Sequence, residues 1–190
     1  MKAILYSSLI ALTAGAAAAQ DWSGPYAGIQ AGVNNNGSWE HFFTGDTVPF
    51  NTGDYDTGSS YGGFAGVNFQ SGSLVYGGEI AFTKNDFRFA TYPDEGIDNA
   101  LRVSGRAGYA FGNSLAYAHV GFARTGYMVP DPTYNLTGVA YGVGIDHMFT
   151  DKIFGGAAVT FWDVSGPLHG GTVDTEHNWT TIDLRIGYKF

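Results

Sequence analysis

The sequence predicts an all-β fold, an eight-stranded antiparallel up-and-down transmembrane β-barrel, from three observations. Apolar and polar residues alternate along several segments, tight and long connections between these segments also alternate, and aromatic residues gather near the segment ends. Successive side chains of a β-strand point to opposite faces of the sheet, so a period of two indicates strands with one apolar face and one polar face.

The composition narrows the class of protein. The chain has 29 glycines, 16% aromatic residues and only 14% charged residues, which favours many short strands joined by tight turns. Its formal net charge of −8 argues against a nucleic-acid partner, because such a partner requires a basic surface. The absence of cysteine excludes a disulfide framework and thiolate chemistry, and we expect no cofactor.

The first residues indicate export from the cytoplasm. Lys2 precedes an apolar stretch over 3–14 and a small-residue site ending at Ala19, which predicts a signal peptide at 1–19 and one barrel domain at 20–190. About a dozen apolar residues are too few for a helix across the roughly 30 Å hydrocarbon core of a bilayer. Because only a closed barrel lets strands cross lipid without unpaired edges, a membrane location would require that architecture.

The last eleven residues give the clearest alternation. One face is Thr180, Ile182, Leu184, Ile186, Tyr188 and Phe190, and the other is Thr181, Asp183, Arg185, Gly187 and Lys189. Such a strand suits lipid on one side and a small polar interior on the other.

Seven further segments repeat this pattern and complete the count of strands. The predicted strands cover about 24–38, 60–70, 74–89, 99–111, 115–128, 137–149, 152–164 and 180–190. Tight connections lie near 70–73, 112–114 and 150–152, and long polar connections lie near 39–59, 90–98, 129–136 and 165–178. Outer-membrane barrels have short periplasmic turns and long extracellular loops, so this asymmetry predicts a Gram-negative outer-membrane location with both termini periplasmic.

Aromatic placement distinguishes a membrane barrel from a soluble barrel that holds a ligand. Both use the same alternation, but the apolar face turns outward in the first and inward in the second. Aromatic residues near the predicted turn ends form a girdle of the kind found at lipid–water interfaces: Tyr109, Phe111, Phe149, Tyr188 and Phe190. An apolar calyx has no reason to gather aromatic residues at its rim, so the membrane barrel is favoured.

The polar faces place charges inside a lumen barely wide enough for side chains. The predicted interior charges are Glu79, Arg102, Arg106, Asp146, Asp183, Arg185 and Lys189, with His119 less securely beside them. Buried charges must be paired, so we expect an ion network across the lumen. This network either fills and stiffens the barrel or lines a narrow gated channel for small solutes.

Three segments carry a resemblance to a known family. The opening Asp21-Trp22-Ser23-Gly24-Pro25-Tyr26-Ala27-Gly28, the Gly-rich segment 138–145 and the closing Leu184-Arg185-Ile186-Gly187-Tyr188-Lys189-Phe190 resemble small eight-stranded outer-membrane proteins of the OmpA-like and opacity-like surface-antigen type. The resemblance covers residues 20–190 and implies a role in envelope integrity with surface-exposed loops. It also implies that Tyr188 and Phe190 are read by the outer-membrane assembly machinery. The expected partners are outer-membrane lipid, lipopolysaccharide, that machinery and a surface partner for the loops.

Catalysis and metal binding find little support in the residues. His119 has no nearby serine of the kind that a lipid A deacylase would carry, so we expect it to fill the lumen. The group His169, Asp174, Glu176 and His177 has metal-ligating types without an established ligand spacing, and His41 and His147 stand alone and are expected at the membrane interface. The sequence predicts a protein without catalysis and without a metal site; a lipid A-modifying enzyme is the weakest alternative.

Overall fold

Nine strands make up the fold in the computed structural model, which describes residues 20–129 and 133–190. The strands are β1 (Gly24–Phe43), β2 (Asn51–Asp54), β3 (Gly58–Ser71), β4 (Leu74–Arg88), β5 (Gly96–Phe111), β6 (Ser114–Met128), β7 (Tyr134–Met148), β8 (Ile153–Leu168) and β9 (Val173–Lys189). The signal peptide predicted at 1–19 lies outside the described residues. In the described part of the chain, no helix is long and apolar enough to cross a membrane.

The sheet closes on itself as a barrel of eight strands. Each of β3 to β8 pairs antiparallel with the next strand in the chain, and β1 pairs with both β3 and β9. The closing register runs from Tyr26 opposite Lys189 to Phe43 opposite Val173. The predicted all-β, eight-stranded, up-and-down barrel is therefore confirmed.

The strands extend further toward the long connections than the alternation predicts. β8 continues to Leu168 and β9 begins at Val173, so most of the predicted loop 165–178 belongs to the barrel wall. The predicted loop 39–59 contains β2, which pairs with β1 where β3 has ended. The pattern failed here because both faces are rich in polar residues beyond the apolar part of the wall, while backbone pairing continues.

The outer surface carries an apolar belt. Ile29 and Leu184 are 66% and 70% exposed, and the aromatic residues of the predicted girdle also point outward. A contiguous apolar surface of this extent is typical of contact with lipid. We call the end of the barrel with the tight turns at Gly72 and Gly112 the turn end, and the opposite end the loop end.

Side chains fill the interior in three layers. At the turn end lies a turn-side layer that includes Trp22, Tyr26, Phe64 and Phe154. The middle holds an ion layer of buried charges. At the loop end lies a loop-side layer made of aromatic and aliphatic residues, among them Trp39, Tyr55, Phe87, Phe89, Ile97, Tyr127, Leu136, Trp162 and Trp179.

Candidate functional site

The ion layer is centred on the carboxylate of Glu79, which projects inward from β4. Arg102 donates to its Oε1 at 2.8 Å, and Arg185 donates to its Oε2 at 2.6 Å. Arg106 adds a longer hydrogen bond to Oε2 at 3.3 Å. All four side chains are buried, so the carboxylate of Glu79 is a shared counter-charge for the three guanidiniums.

A second acid and two tyrosines complete the ion layer. Asp146 on β7 accepts a hydrogen bond from Arg106 at 3.0 Å and lies 3.5 Å from the Nε of Arg185. The Tyr26 hydroxyl donates to Glu79 and accepts from Arg106, while the Tyr117 hydroxyl accepts from Arg185. Three arginines thus face two carboxylates, and the two phenolic hydroxyls act as further partners. Among the described residues, the Nε atoms of Arg106 and Arg185 and the Oδ1 of Asp146 make no hydrogen bond.

Of the other sequence-predicted interior residues, Asp183 and Lys189 lie outside this cluster and His119 contacts its edge. Asp183 is buried in the lumen, where it accepts a 3.5 Å hydrogen bond from Ser60, but it joins no ion pair among the described residues. Lys189 lies at the turn end and donates to the backbone carbonyl of Asp21. His119 accepts a hydrogen bond from Arg102 on Nδ1 at 2.6 Å. The structure therefore brings five of the seven predicted charges together and places Asp183 and Lys189 apart.

The turn end is closed by the segment that precedes β1. Trp22 is buried in the turn-side layer, with its ring 5.9 Å from that of Phe154. Its backbone N–H donates to the side chain of Gln70 at 2.7 Å, and the N–H of Gln20 donates to the carbonyl of Gly112 at 2.9 Å. These bonds hold the segment across the barrel mouth with its indole inside.

The loop-side layer contains a buried hydrogen-bond chain through His177. Thr175 donates to the backbone carbonyl of Glu40 at 3.2 Å, so its oxygen accepts from Nε2 of His177 at 2.8 Å. The other ring nitrogen, Nδ1, then accepts from the hydroxyl of Tyr55. This pattern fits only a neutral imidazole, and burial lowers the pKa of His177 to about 3 at a position beyond the apolar belt.

The residues of metal-ligating type in the predicted fourth loop do not converge on one point. Asp174, Glu176 and His177 lie on β9. The side chain of Glu176 points outward, whereas that of its neighbour His177 points into the lumen. Alternation along one strand separates them by the thickness of the wall. Among the described residues, no group of three or more His, Cys, Asp or Glu is placed to hold a metal ion.

Histidine–hydroxyl pairs occur at three places without the third member that nucleophilic catalysis requires. Ser114 contacts Nδ1 of His147 at 2.9 Å, Thr160 contacts His119 at 3.5 Å, and Thr175 contacts His177. A triad orients its imidazole with a carboxylate on the second ring nitrogen. In the part of the chain that the structure describes, none of these imidazoles has a carboxylate as hydrogen-bond partner.

Of the residues that complete the interior, the alternation pattern accounts for some and misses others. Tyr26 and Tyr117 lie on predicted inward faces, so their position beside the charges was available from the alternation. Tyr55 and Trp22 lie outside the predicted strands and carry no periodic signal. His41 also differs from expectation: it lies at the loop end beside Trp39, with 4.6 Å between the ring centroids, rather than at the lipid interface.

A closed eight-stranded barrel with an apolar belt outside and paired charges inside defines a β-barrel protein of the outer membrane. The chain belongs to the family of the outer membrane protein β-barrel domain, which it matches over residues 4–190. This confirms the class of small outer-membrane barrels that the sequence motifs indicate.

Relatives and solved structures agree with this assignment. The chain is 29% identical to a 22 kDa outer membrane protein of Rhizobium leguminosarum bv. viciae over 179 residues, which cover 85% of this chain and 82% of that protein. It is 26% identical to the 25 kDa outer-membrane immunogenic protein of Brucella abortus biovar 1 (strain 9-941), covering 89% of this chain and 79% of that protein. The crystal structure of OprG from Pseudomonas aeruginosa has the same fold at 16% identity, with a TM-score of 0.55 over 88% of this chain and 96% of that one.

Proposed function

We propose that the protein is a non-catalytic structural component of the outer membrane that stiffens the envelope and presents its loop end to the exterior. The filled lumen is the observation that supports this role. Trp22 closes the turn end, the ion layer crosses the middle, and the loop-side layer closes the opposite end. A barrel packed at three levels among the described residues has the rigidity expected of a wall element, and such packing opposes diffusion of solutes through the lumen.

The proposed orientation places both termini in the periplasm and the loop end outside the cell. The tight turns and the longer connections support it, since outer-membrane barrels keep their long loops on the extracellular side. The immunogenic character named for the Brucella relative supports a surface-exposed position of the corresponding loops in this protein. The proposed partners are outer-membrane lipid and lipopolysaccharide around the apolar belt, and a surface partner at the loop end.

The last residues support a proposed contact with the assembly machinery. Tyr188 and Phe190 are exposed on the outside of the barrel at the turn end, with 5.2 Å between their ring centroids. Deletion of Phe190 should lower the amount of folded protein in the outer membrane more than deletion of Gly45 in a loop does. Normal outer-membrane levels of the Phe190 deletion would contradict this assignment.

Conductance and swelling experiments test the structural role against a diffusion channel. Purified wild-type protein in planar bilayers should give no stable conductance steps, and its liposomes should not swell in small sugars, whereas an open porin does both. Steps that disappear in Arg106→Ala would favour the channel instead.

Experiments on cells test the remaining part of the proposal. Loss of the gene should raise sensitivity to detergent and leave the lipid A mass profile unchanged, with rescue by the wild-type gene. A changed lipid A profile would favour an enzyme, and unaltered detergent sensitivity would contradict the envelope role.

A further inference from the structure

A cavity of about 350 Å³ opens at the loop end, above the loop-side layer. Its floor includes the buried Tyr127, and its rim includes Phe50 and His169, both exposed. Small-molecule sites typically begin at roughly this volume and combine apolar walls with a few polar groups. The cavity is separate from the ion layer and plays no part in the structural role proposed above.

The polar groups of the cavity favour one sign of charge. Glu95 contributes a carboxylate, held in place by a 2.8 Å hydrogen bond from the hydroxyl of Tyr127 to its Oε2. Burial, and secondarily this hydrogen bond, raise the pKa of Tyr127, so the phenol remains a donor to the carboxylate. The described lining contains neither lysine nor arginine, so this carboxylate has no cationic partner within the cavity wall.

The imidazole of His41 adds an available polar atom. Its Nε2 is buried and has no hydrogen-bond partner among the described residues. His41 lies beyond the apolar belt, and burial, followed by the charge of His169, lowers its pKa. The ring is therefore neutral at neutral pH and offers one nitrogen that accepts a hydrogen bond.

Aromatic faces surround these polar groups. Phe50, Tyr127 and Tyr134 line the cavity, and the hydroxyl of Tyr134 is fixed by a 3.3 Å hydrogen bond from the backbone N–H of His169. Aromatic faces attract a cation through their quadrupole, and they also cover its apolar substituents. A carboxylate, a neutral imidazole and aromatic walls together match an ammonium group on an apolar body.

We propose that this cavity binds a small organic cation, an ammonium group carried by an aromatic or aliphatic body, through Glu95 and the surrounding aromatic rings. The ammonium would donate to the free oxygen of Glu95 and to His41. Its apolar body would pack against Phe50 and Tyr134. This assigns a ligand site to the loop end that the structural role does not require.

Three probes of one shape test the choice of charge. Phenethylammonium, phenethyl alcohol and phenylpropionate are titrated by ligand-observed NMR into the full mature protein in detergent micelles, with empty micelles as the blank. Phenethylammonium should saturate and bind roughly tenfold or more tightly than the alcohol, the gain of a charge-assisted hydrogen bond, and phenylpropionate should bind most weakly. Equal binding of the three probes, or no saturation by the cation, would overturn the proposal.

A pair of matched variants locates the binding. Glu95→Gln should weaken binding of the cation roughly tenfold and leave the alcohol unaffected, because only the charge is removed. Glu176→Gln removes an outward-facing carboxylate from the same end of the barrel and should change neither affinity. An equal response in the two variants would refute the site.

A second variant covers the case in which Glu95→Gln fails to fold, as judged by the migration of unboiled protein on gels. Tyr134→Leu keeps an apolar side chain but removes an aromatic face at the partly buried rim. It should weaken phenethylammonium more than phenethyl alcohol. Equal losses for the two probes would show simple apolar packing and would contradict the proposed recognition of a cation.

Discussion

The ion layer and the loop-side layer fill the same lumen with different chemistry. In the ion layer, strands β4, β5, β7 and β9 supply charges that satisfy one another within 2.6 to 3.5 Å. In the loop-side layer, stacked rings such as Trp162 and Trp179, which are nearly parallel with ring centroids 5.3 Å apart, occupy the space with few polar atoms. The ion layer therefore depends on every partner being present, whereas the loop-side layer depends on total volume.

This contrast explains where each layer lies. Around the ion layer the outer wall faces lipid, and the glycine-rich strands leave a lumen that arginine side chains can cross. Gly144 is an example, because a Cβ there would lie 2.4 Å from the Tyr117 ring that contacts Arg106. Beyond the apolar belt, rings from β1, β4, β8 and β9 close the lumen by apolar packing around the hydrogen-bond chain through His177.

The largest expected effect is the loss of the central carboxylate. Glu79→Gln changes the shape little but removes the negative charge that three buried guanidiniums share and replaces one acceptor oxygen by a donor, so the free energy of unfolding should fall by roughly 3–5 kcal/mol. Urea titration of the protein in detergent micelles measures it. A loss smaller than that of Asp98→Asn, which breaks an exposed ion pair, would show that the ion layer is not the main constraint in the lumen.

A pH titration tests the neutral imidazole of the loop-side layer. The pKa of His177 is lowered to about 3 in the folded protein from an ordinary value of 6.5. As the pH falls below about 6.5, the unfolded state binds more protons than the folded state, and the folded state loses stability. The difference in unfolding free energy between wild type and His177→Gln should therefore change by roughly 1.4 kcal/mol, against wild type, as the pH is lowered from about 7.5 to about 5.5.

The matched control for this titration is His147→Gln, which removes an exposed imidazole at the turn end. Its unfolding free energy is measured over the same pH range, so that the effect of removing a buried imidazole is compared with that of removing an exposed one. If the advantage of wild type over His177→Gln stayed constant across the range, the imidazole would take up a proton as readily in the folded state as in the unfolded state. The hydrogen-bond chain from Tyr55 to Thr175 would then need a different proton arrangement.

A conservative change in the loop-side layer provides the counterpart to Glu79→Gln. Ile97→Val removes one methylene from a fully buried side chain, and we expect a loss of only about 0.5–1.5 kcal/mol, because neighbouring rings cover most of the space. The same urea titration measures it. A loss as large as that of Glu79→Gln would remove the distinction between the two layers.

The smallest effect is expected for an ion pair on the outside of the wall. Lys84 and Asp98 lie 3.2 Å apart with side chains 50% and 37% exposed, so Asp98→Asn should cost less than about 1 kcal/mol. Added salt should reduce the difference further, since exposed pairs are screened. A loss that persists in high salt would indicate that the difference in stability contribution between this pair and the ion layer does not arise from burial.

The alternation of residues accounts for the barrel and for much of the interior. The inward positions of Glu79, Arg102 and Arg106 follow from strict alternation along β4 and β5, as does the inward position of Tyr26 on β1. Neither distance nor partner follows from that pattern, so the separation of Asp183 from the ion pairs was not foreseeable. Alternation fixes the face of a side chain, whereas its reach across the lumen depends on the opposite wall.

Residues outside the regular strands escaped the sequence for a different reason. Tyr55 follows β2 and enters the lumen because its N–H donates to the carbonyl of Gly37 and the residue bridges to Phe89. These partners are distant in sequence, and no periodic signal marks them. Trp22 likewise belongs to a recognisable sequence motif, but its position inside the barrel depends on the hydrogen bonds that its segment makes to Gln70 and Gly112.

The short strand β2 has a consequence for how the surface of this protein can vary. Toward the loop end, β1 pairs with β2 instead of β3. This edge of β1 therefore stays paired as far as His41, which lies opposite Asn51. The segment 45–49 lies beyond these bonds, and Val48 is 75% exposed. Substitutions and inserted segments at 45–49 would leave the wall intact, which makes this tip a part of the loop end that tolerates changes of sequence and length.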